Sequence, residues 1–235
     1  MAFDAHPLVI GHRGAVALAP ENTLASFHAA ISLGVHAVEL DVQWHAGELW
    51  VIHDDTLERT TNGVGPLTGL SRDELLLLDA GDGERIPRLQ QVLDSLPVSV
   101  GVNIELKGQA TAEPVARALT DTRGRDVLVS SFDHGELHRF FELAQPGIRL
   151  SPLFYKWQDD VWQIARDFNA WSVNLSERLA TAARVEAALS HGLKVLVYTV
   201  NNLSKARKLV RHGVAGVFTD RPDVITPTAL GDRSP

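Results

Sequence analysis

The stretch His191-Gly192-Leu193-Lys194-Val195-Leu196-Val197-Tyr198-Thr199-Val200 decides the fold. A helix-like segment ends in glycine, which supplies a left-handed C-cap. The chain then passes at once into an apolar, β-branched run, as a parallel strand covered on both faces requires. The same punctuation stands at Leu33-Gly34 before 35–42 and at His212-Gly213 before 214–219. Six further runs read as strands, at 8–11, 49–53, 98–105, 127–131, 148–153 and 171–175. Helical patterns at 23–33, 112–122, 135–144, 159–168, 180–190 and 203–211 separate most of them. Alternation sustained over the whole chain predicts an α/β fold, a (β/α)₈ TIM barrel in preference to an open doubly wound sheet.

A chain of 235 residues with 45 % hydrophobic content can bury one large core, so a single domain over 1–235 is expected. Residues 54–86 break the rhythm: they are rich in Thr, Gly and Asp and hold only a short helix-like piece at 72–78. They read as an insertion after the His53 strand, forming a small cap over the barrel mouth. Residues 230–235 read as a frayed tail.

Composition narrows the function. No run reaches the roughly 18 apolar residues of a membrane span, and residues 1–7 lack the basic-then-apolar order of a secretory signal, so a cytoplasmic location is expected. The absence of cysteine excludes disulfides, thiolate metal sites and a cysteine nucleophile. A formal net charge of −7 with scattered basic residues argues against nucleic acid and against stable association with an anionic membrane. A small anionic substrate stays compatible if a divalent cation or a placed arginine compensates locally.

Three charged strings, His12-Arg13-Gly14, Glu39-Leu40-Asp41 and Glu105-Leu106-Lys107, each close an apolar run. Ionisable groups just beyond buried parallel strands must be solvated, paired or metal-bound, and their convergence reads as a catalytic site. On a strand, Glu39 and Asp41 point to one side, where two anions repel unless a cation sits between them. Oxygen ligands without cysteine suit Mg²⁺ or Ca²⁺, with Mn²⁺ open, and Glu105 could supply a third carboxylate. The alternative is a buried ion network of Glu39 and Asp41 with Arg13 and Lys107. His12 and His53 lie at the ends of apolar runs, unlike the other eight histidines, and suit an acid and base pair near neutral pH. Arg13 offers a planar fork for a phosphate, and Lys107 a second positive charge.

In order, the strings His12-Arg13-Gly14, Pro20-Glu21-Asn22-Thr23, Glu39-Leu40-Asp41-Val42, His53-Asp54 and Leu57-Glu58-Arg59-Thr60-Thr61-Asn62-Gly63 resemble the glycerophosphodiester phosphodiesterase family. The likeness continues through Ile86-Pro87-Arg88-Leu89 with Val92-Leu93, Glu105-Leu106-Lys107, Ser131-Phe132 and residues 213–222. It implies a (β/α)₈ barrel with a small insertion after the second histidine. It also implies metal-dependent hydrolysis of a small glycerophosphodiester to sn-glycerol 3-phosphate and an alcohol.

Carried over by position, Glu39, Asp41 and Glu105 would bind one divalent cation and Arg13 the phosphate. His12 and His53 would act as general base and general acid, and Lys107 would neutralise phosphoryl oxygens. Asn22 or Thr23 is better explained as a helix cap. Members often carry a tryptophan at the end of the seventh strand, where this chain has Tyr198; with Phe132, it is a candidate for the apolar wall against glycerol. Leu153, Phe154, Trp157 and Trp171 are weaker candidates for the same wall. Two other readings stay open: a lysophospholipase D-type enzyme acting on lipid diesters, and a phosphate-binding barrel without catalysis. The residues do not specify the oligomeric state.

Overall fold

Period-two alternation within each strand sorts the side chains into an inner and an outer set, and the computed structural model, which describes residues 1–121 and 124–231, closes them into a barrel. Its strands are β1 (Leu8–Gly11), β2 (Ala37–His45), β3 (Glu48–Val51), β4 (Gly101–Leu106), β5 (Val127–Ser131), β6 (Arg149–Phe154), β7 (Ser172–Ser176), β8 (Lys194–Tyr198) and β9 (Gly216–Thr219). The hydrogen-bonded order is β1-β9-β8-β7-β6-β5-β4-β2-β3, and pairing of β1 with β2 closes the ring. Every neighbour pair in the ring is parallel; only β3 runs antiparallel, on β2. This is a (β/α)₈ TIM barrel.

The helices are α1 (Leu24–Ser32), α2 (Arg72–Leu75), α3 (Leu89–Ser95), α4 (Ala112–Ala118), α5 (His134–Leu143), α6 (Val161–Asp167), α7 (Ala182–Ser190), α8 (Leu203–Arg211) and α9 (Pro227–Leu230). All nine strands overlap expected runs, β1 and β5 matching theirs at both ends, and α8 matches its expected range at both ends. The pattern does not single out α3 or α9. The helix expected at 112–122 ends earlier, at Ala118, with its last expected residue outside the described residues. Of the tail expected at 230–235, Leu230 is not frayed but buried as the last residue of α9, Gly231 caps that helix, and 232–235 lie outside the described residues.

The outward residues Val9, Val38, Leu40, Val42, Val102 and Ile104 join the large cluster under the helices, whereas Leu8, Ile10, Ala37, Leu128, Leu196 and Phe218 pack with Phe3 inside the barrel. Along β2 the same alternation carries the inner set from Ala37 to Glu39 and Asp41. On β4 it carries the inner set to Asn103 and Glu105, with Asp41 in register with Glu105. The barrel floor is therefore apolar and its mouth acidic.

Thr23 closes the start of α1 by accepting from the Ser26 N–H at 3.2 Å. Gly14 makes the close approach of the first loop possible. Its φ is +91°, and a β-carbon there would lie 2.4 Å from Ser26 Oγ. Residues 54–86 contain a 3₁₀ turn (Leu67–Gly69) and α2, and Leu57, Leu67, Leu75, Ala80 and Ile86 share a small apolar cluster with Trp50 and Ile52. No helix among the described residues is long and apolar enough to cross a membrane.

Candidate active site

The C-terminal ends of the parallel strands, with His53 brought in by the turn back along antiparallel β3, gather all nine sequence-predicted site residues at one end of the barrel. Seven of them line one pocket, His12, Arg13, Glu39, His53, Glu105, Phe132 and Tyr198, together with Asn103, Ser130, Leu153, Asn174, Thr199 and Phe218. Asp41 and Lys107 adjoin it, through Arg13 and through Glu105 and His53 respectively. Of the weaker wall candidates only Leu153 lines this pocket; Trp171 instead packs edge-on against Phe3, 5.8 Å between ring centres.

Glu39, Asp41 and Glu105 are buried, and each offers an oxygen within 4.8 Å of the others. Burial first, then the charges of Asp41 and Glu105, push the Glu39 carboxyl well above its ordinary range. Burial and Asp41 push Glu105 up to about 7, against the pull of Lys107. Arg13 Nε stands 3.1 Å from Asp41 Oδ2, and Lys107 Nζ 3.1 Å from Glu105 Oε1. Burial opposes the charge of both cations, yet the carboxylates hold both above their ordinary values. The ion network expected as an alternative is thus present, but it is incomplete. Two cations face three carboxylates, and Glu39 Oε1 finds no hydrogen-bond partner among the described residues.

The oxygen-only donor set and the orphaned Glu39 oxygen fit a hard divalent cation, and 4.8 Å is about twice a Ca²⁺–oxygen distance. Asn22 fixes one of these carboxylates: its Nδ2 donates to Asp41 Oδ2 at 2.9 Å and its Oδ1 accepts from the Asp41 N–H at 3.3 Å. The sequence reading treats Asn22 only as a possible cap. Both Asn22 and Arg13 hold positive φ, 58° and 50°, a costly backbone state that turns the Arg13 N–H onto Glu39 Oε2 at 2.8 Å.

Each histidine is backed by an aspartate. His12 Nδ1 lies 2.7 Å from Asp220 Oδ1, and Asp220 Oδ2 accepts from Asn201 Nδ2 at 2.7 Å. His53 Nδ1 lies 2.5 Å from Asp54 Oδ1, and its Nε2 faces Lys107 Nζ at 3.1 Å. Burial lowers the His53 pKa despite Asp41 and Asp54, with Arg13 and Lys107 adding to the effect. Sequence reasoning missed Asp220, although its place directly after the last strand is the signal that could have found it.

Tyr198 stands at the end of the seventh parallel strand, its hydroxyl donating to the Phe154 carbonyl at 2.7 Å. Its ring meets Phe132 edge-on at 5.6 Å, so the two form one apolar wall.

Residues 12–224, almost the entire chain, match the model of the glycerophosphoryl diester phosphodiesterase family. The chain belongs to this family. Among its relatives in the family is the glycerophosphodiester phosphodiesterase of Caldanaerobacter subterraneus subsp. tengcongensis, 33 % identical over 233 residues that cover 93 % of this chain and 96 % of the relative. An Oleispira antarctica phosphodiesterase, solved in complex with its product sn-glycerol-3-phosphate, superposes with a TM-score of 0.89 at 30 % identity, covering 97 % of this chain and 98 % of that one. The glycerophosphodiester phosphodiesterase of Agrobacterium tumefaciens superposes at 0.80 and 31 % identity, over 92 % and 97 % of the two chains.

Proposed function

We propose that this protein hydrolyses glycerophosphodiesters to sn-glycerol 3-phosphate and an alcohol, with one divalent cation held by Glu39, Asp41 and Glu105. The observation that carries the reading is the meeting, at one barrel mouth, of three buried carboxylates, one with an orphaned oxygen, and two aspartate-backed histidines. The bound product of the Oleispira antarctica relative names the product expected here. The names of the relatives favour this soluble diester over a lysophospholipid, and a cytoplasmic site of action is part of the same proposal.

A phosphodiester resists attack because its oxygens are negative, so the site must neutralise charge, deprotonate a hydroxyl and protonate the leaving alkoxide. When bound, a divalent cation would supply Lewis-acid polarisation of a phosphoryl oxygen. Arg13 binds the phosphate through its guanidinium and Lys107 offsets charge on the phosphoryl oxygens, both preorganised by the carboxylates beside them. Phe132 and Tyr198 form the apolar wall against the glycerol carbons. Residues 54–86 act as a cap at the mouth, carrying Asp54 behind His53.

The two histidines divide the proton transfers. His53 is held toward its neutral form, so its Nε2 suits acceptance of the nucleophile's proton. His12, whose Nδ1 is held by the Asp220 carboxylate, suits donation from Nε2 to the leaving oxygen. This assignment reverses the one the family resemblance implies. Turnover of glycerophosphocholine tests the pair and turnover of bis(4-nitrophenyl) phosphate tests the assignment, because nitrophenolate departs without an acid. Each of His12→Ala and His53→Ala is expected to lose about 10² to 10⁴ in kcat on glycerophosphocholine. Only His53→Ala is expected to lose as much on the nitrophenyl diester. Loss there with His12→Ala instead overturns the assignment.

A further inference from the structure

We propose that Arg59, in the segment between β3 and α3, is a positioning residue that holds the proton-transfer group His53 and the phosphate-binding group Arg13 in register through two carboxylates. The inference rests on the roles given above to those two residues. Arg59 Nη1 and Nη2 donate to Glu21 Oε2 and Oε1 at 2.7 and 2.9 Å, and Glu21 Oε1 accepts from Arg13 Nη1 at 2.7 Å. On its other side, Arg59 Nε and Nη2 donate to Asp54 Oδ2 and Oδ1 at 2.5 and 3.0 Å, and Asp54 Oδ1 meets His53 Nδ1. One planar guanidinium therefore makes two bidentate contacts, and each carboxylate passes the constraint to a different functional side chain.

Stability does not account for this arrangement. Arg59 is 48 % exposed, and ion pairs at such sites contribute little to folding. Hydrogen bonds to Glu21 and Asp54 hold Arg59 above its ordinary range, and those from Arg59, with His53, hold Asp54 below its own, so Asp54 stays anionic behind His53. A lysine at this position offers one ammonium and lacks the fork that engages two carboxylates at once. Arg59 also ties residues 54–86 to the first loop of the barrel, where Glu21 lies.

The test compares steady-state kinetics on glycerophosphocholine for Arg59→Met, Arg59→Lys, Glu21→Gln and Asp54→Asn. Removing a group that orients a functional residue typically lowers activity 10–100-fold. Asp54→Asn is expected to lower kcat, Glu21→Gln to raise KM, and Arg59→Met to do both. Methylguanidinium is expected to restore part of the Arg59→Met loss, whereas the lysine variant stays impaired. Adding Arg59→Met to Asp54→Asn should lower kcat little further, because the two act on one path.

Kinetic constants for Arg59→Met within twofold of the parent overturn the proposal. So does a loss that follows only the folded fraction and resists methylguanidinium. His53→Ala and Arg13→Ala are measured alongside. If both keep their activity, the proposed roles fail and this inference with them; if both lose it while Arg59→Met does not, only the inference fails.

Discussion

His12 and Asp220 stand 208 positions apart in the chain, yet His12 Nδ1 and Asp220 Oδ1 are 2.7 Å apart. Barrel closure creates the contact: β1 pairs with β9, and His12 and Asp220 each follow their strand directly, with the His12 N–H donating to the Thr219 carbonyl at 2.9 Å. A carboxylate on Nδ1 keeps that nitrogen protonated and turns Nε2 toward the pocket.

Asp220→Asn is accordingly expected to lower kcat on glycerophosphocholine by about 10–100-fold, because an amide can present its NH₂ to Nδ1 and select the wrong tautomer. Steady-state kinetics check this. Retention of full turnover would show that His12 needs no orienting partner.

The metal-free protein is expected to lose stability as pH rises through neutrality. Glu39 and Glu105 have raised folded-state pKa values, so their contribution is complete below the ordinary glutamate value of about 4.3 and is lost as pH rises, for Glu105 through about 7. Asp54 and Asp220 are shifted the other way, and their contribution is lost only in acid, as pH falls below about 4. A divalent cation prefers the ionised carboxylates, so the Tm gain from Mg²⁺, Ca²⁺ or Mn²⁺ should grow between about pH 5 and about pH 8. Thermal melts with EDTA or with each ion check this, and a gain that stays flat over that range contradicts it.

Glu39→Gln separates function from stability. The amide removes one of three mutually repelling charges and keeps an oxygen to accept from the Arg13 N–H. The metal-free variant is expected to melt higher at neutral pH, each kcal/mol of relief being worth roughly 2–4 °C in a chain of this size. Its kcat should fall by more than about 10². Differential scanning calorimetry and kinetics on the same preparation check the pair of effects.

Gly14→Ala should destabilise the fold by more than about 1 kcal/mol, since the new β-carbon meets Ser26 Oγ at 2.4 Å in a backbone region unfavourable to alanine. Urea denaturation measures the loss, and an unchanged midpoint would show that the first loop can relax.

The barrel was legible because its strands are apolar on both faces, and because glycine marks the ends of the helices before them. β2 runs on to His45 because its far end pairs with β3, a local antiparallel contact that the apolar pattern alone does not bound. The acidic triad, both histidines, Arg13 and Lys107 were legible because charge ending an apolar run is costly without a use. Asp220, Asn22 and Arg59 were less so. Their work is done through hydrogen bonds to residues 5 to 208 positions away, and the apolar pattern along the chain states none of those partners. Asn103, Ser130 and Asn174 were hidden for a different reason: an uncharged polar residue within a strand does not announce which face it occupies, and only the barrel register shows that each faces inward.

The most direct test of the central claim is release of sn-glycerol 3-phosphate from glycerophosphocholine by the purified protein, in EDTA and after adding Mg²⁺, Ca²⁺ or Mn²⁺ separately. No release is expected in EDTA, and at least one ion is expected to restore it, with the restored activity abolished in Glu39→Gln. Full activity in EDTA, or no activity with any of the three ions on this or related glycerophosphodiesters, would contradict it.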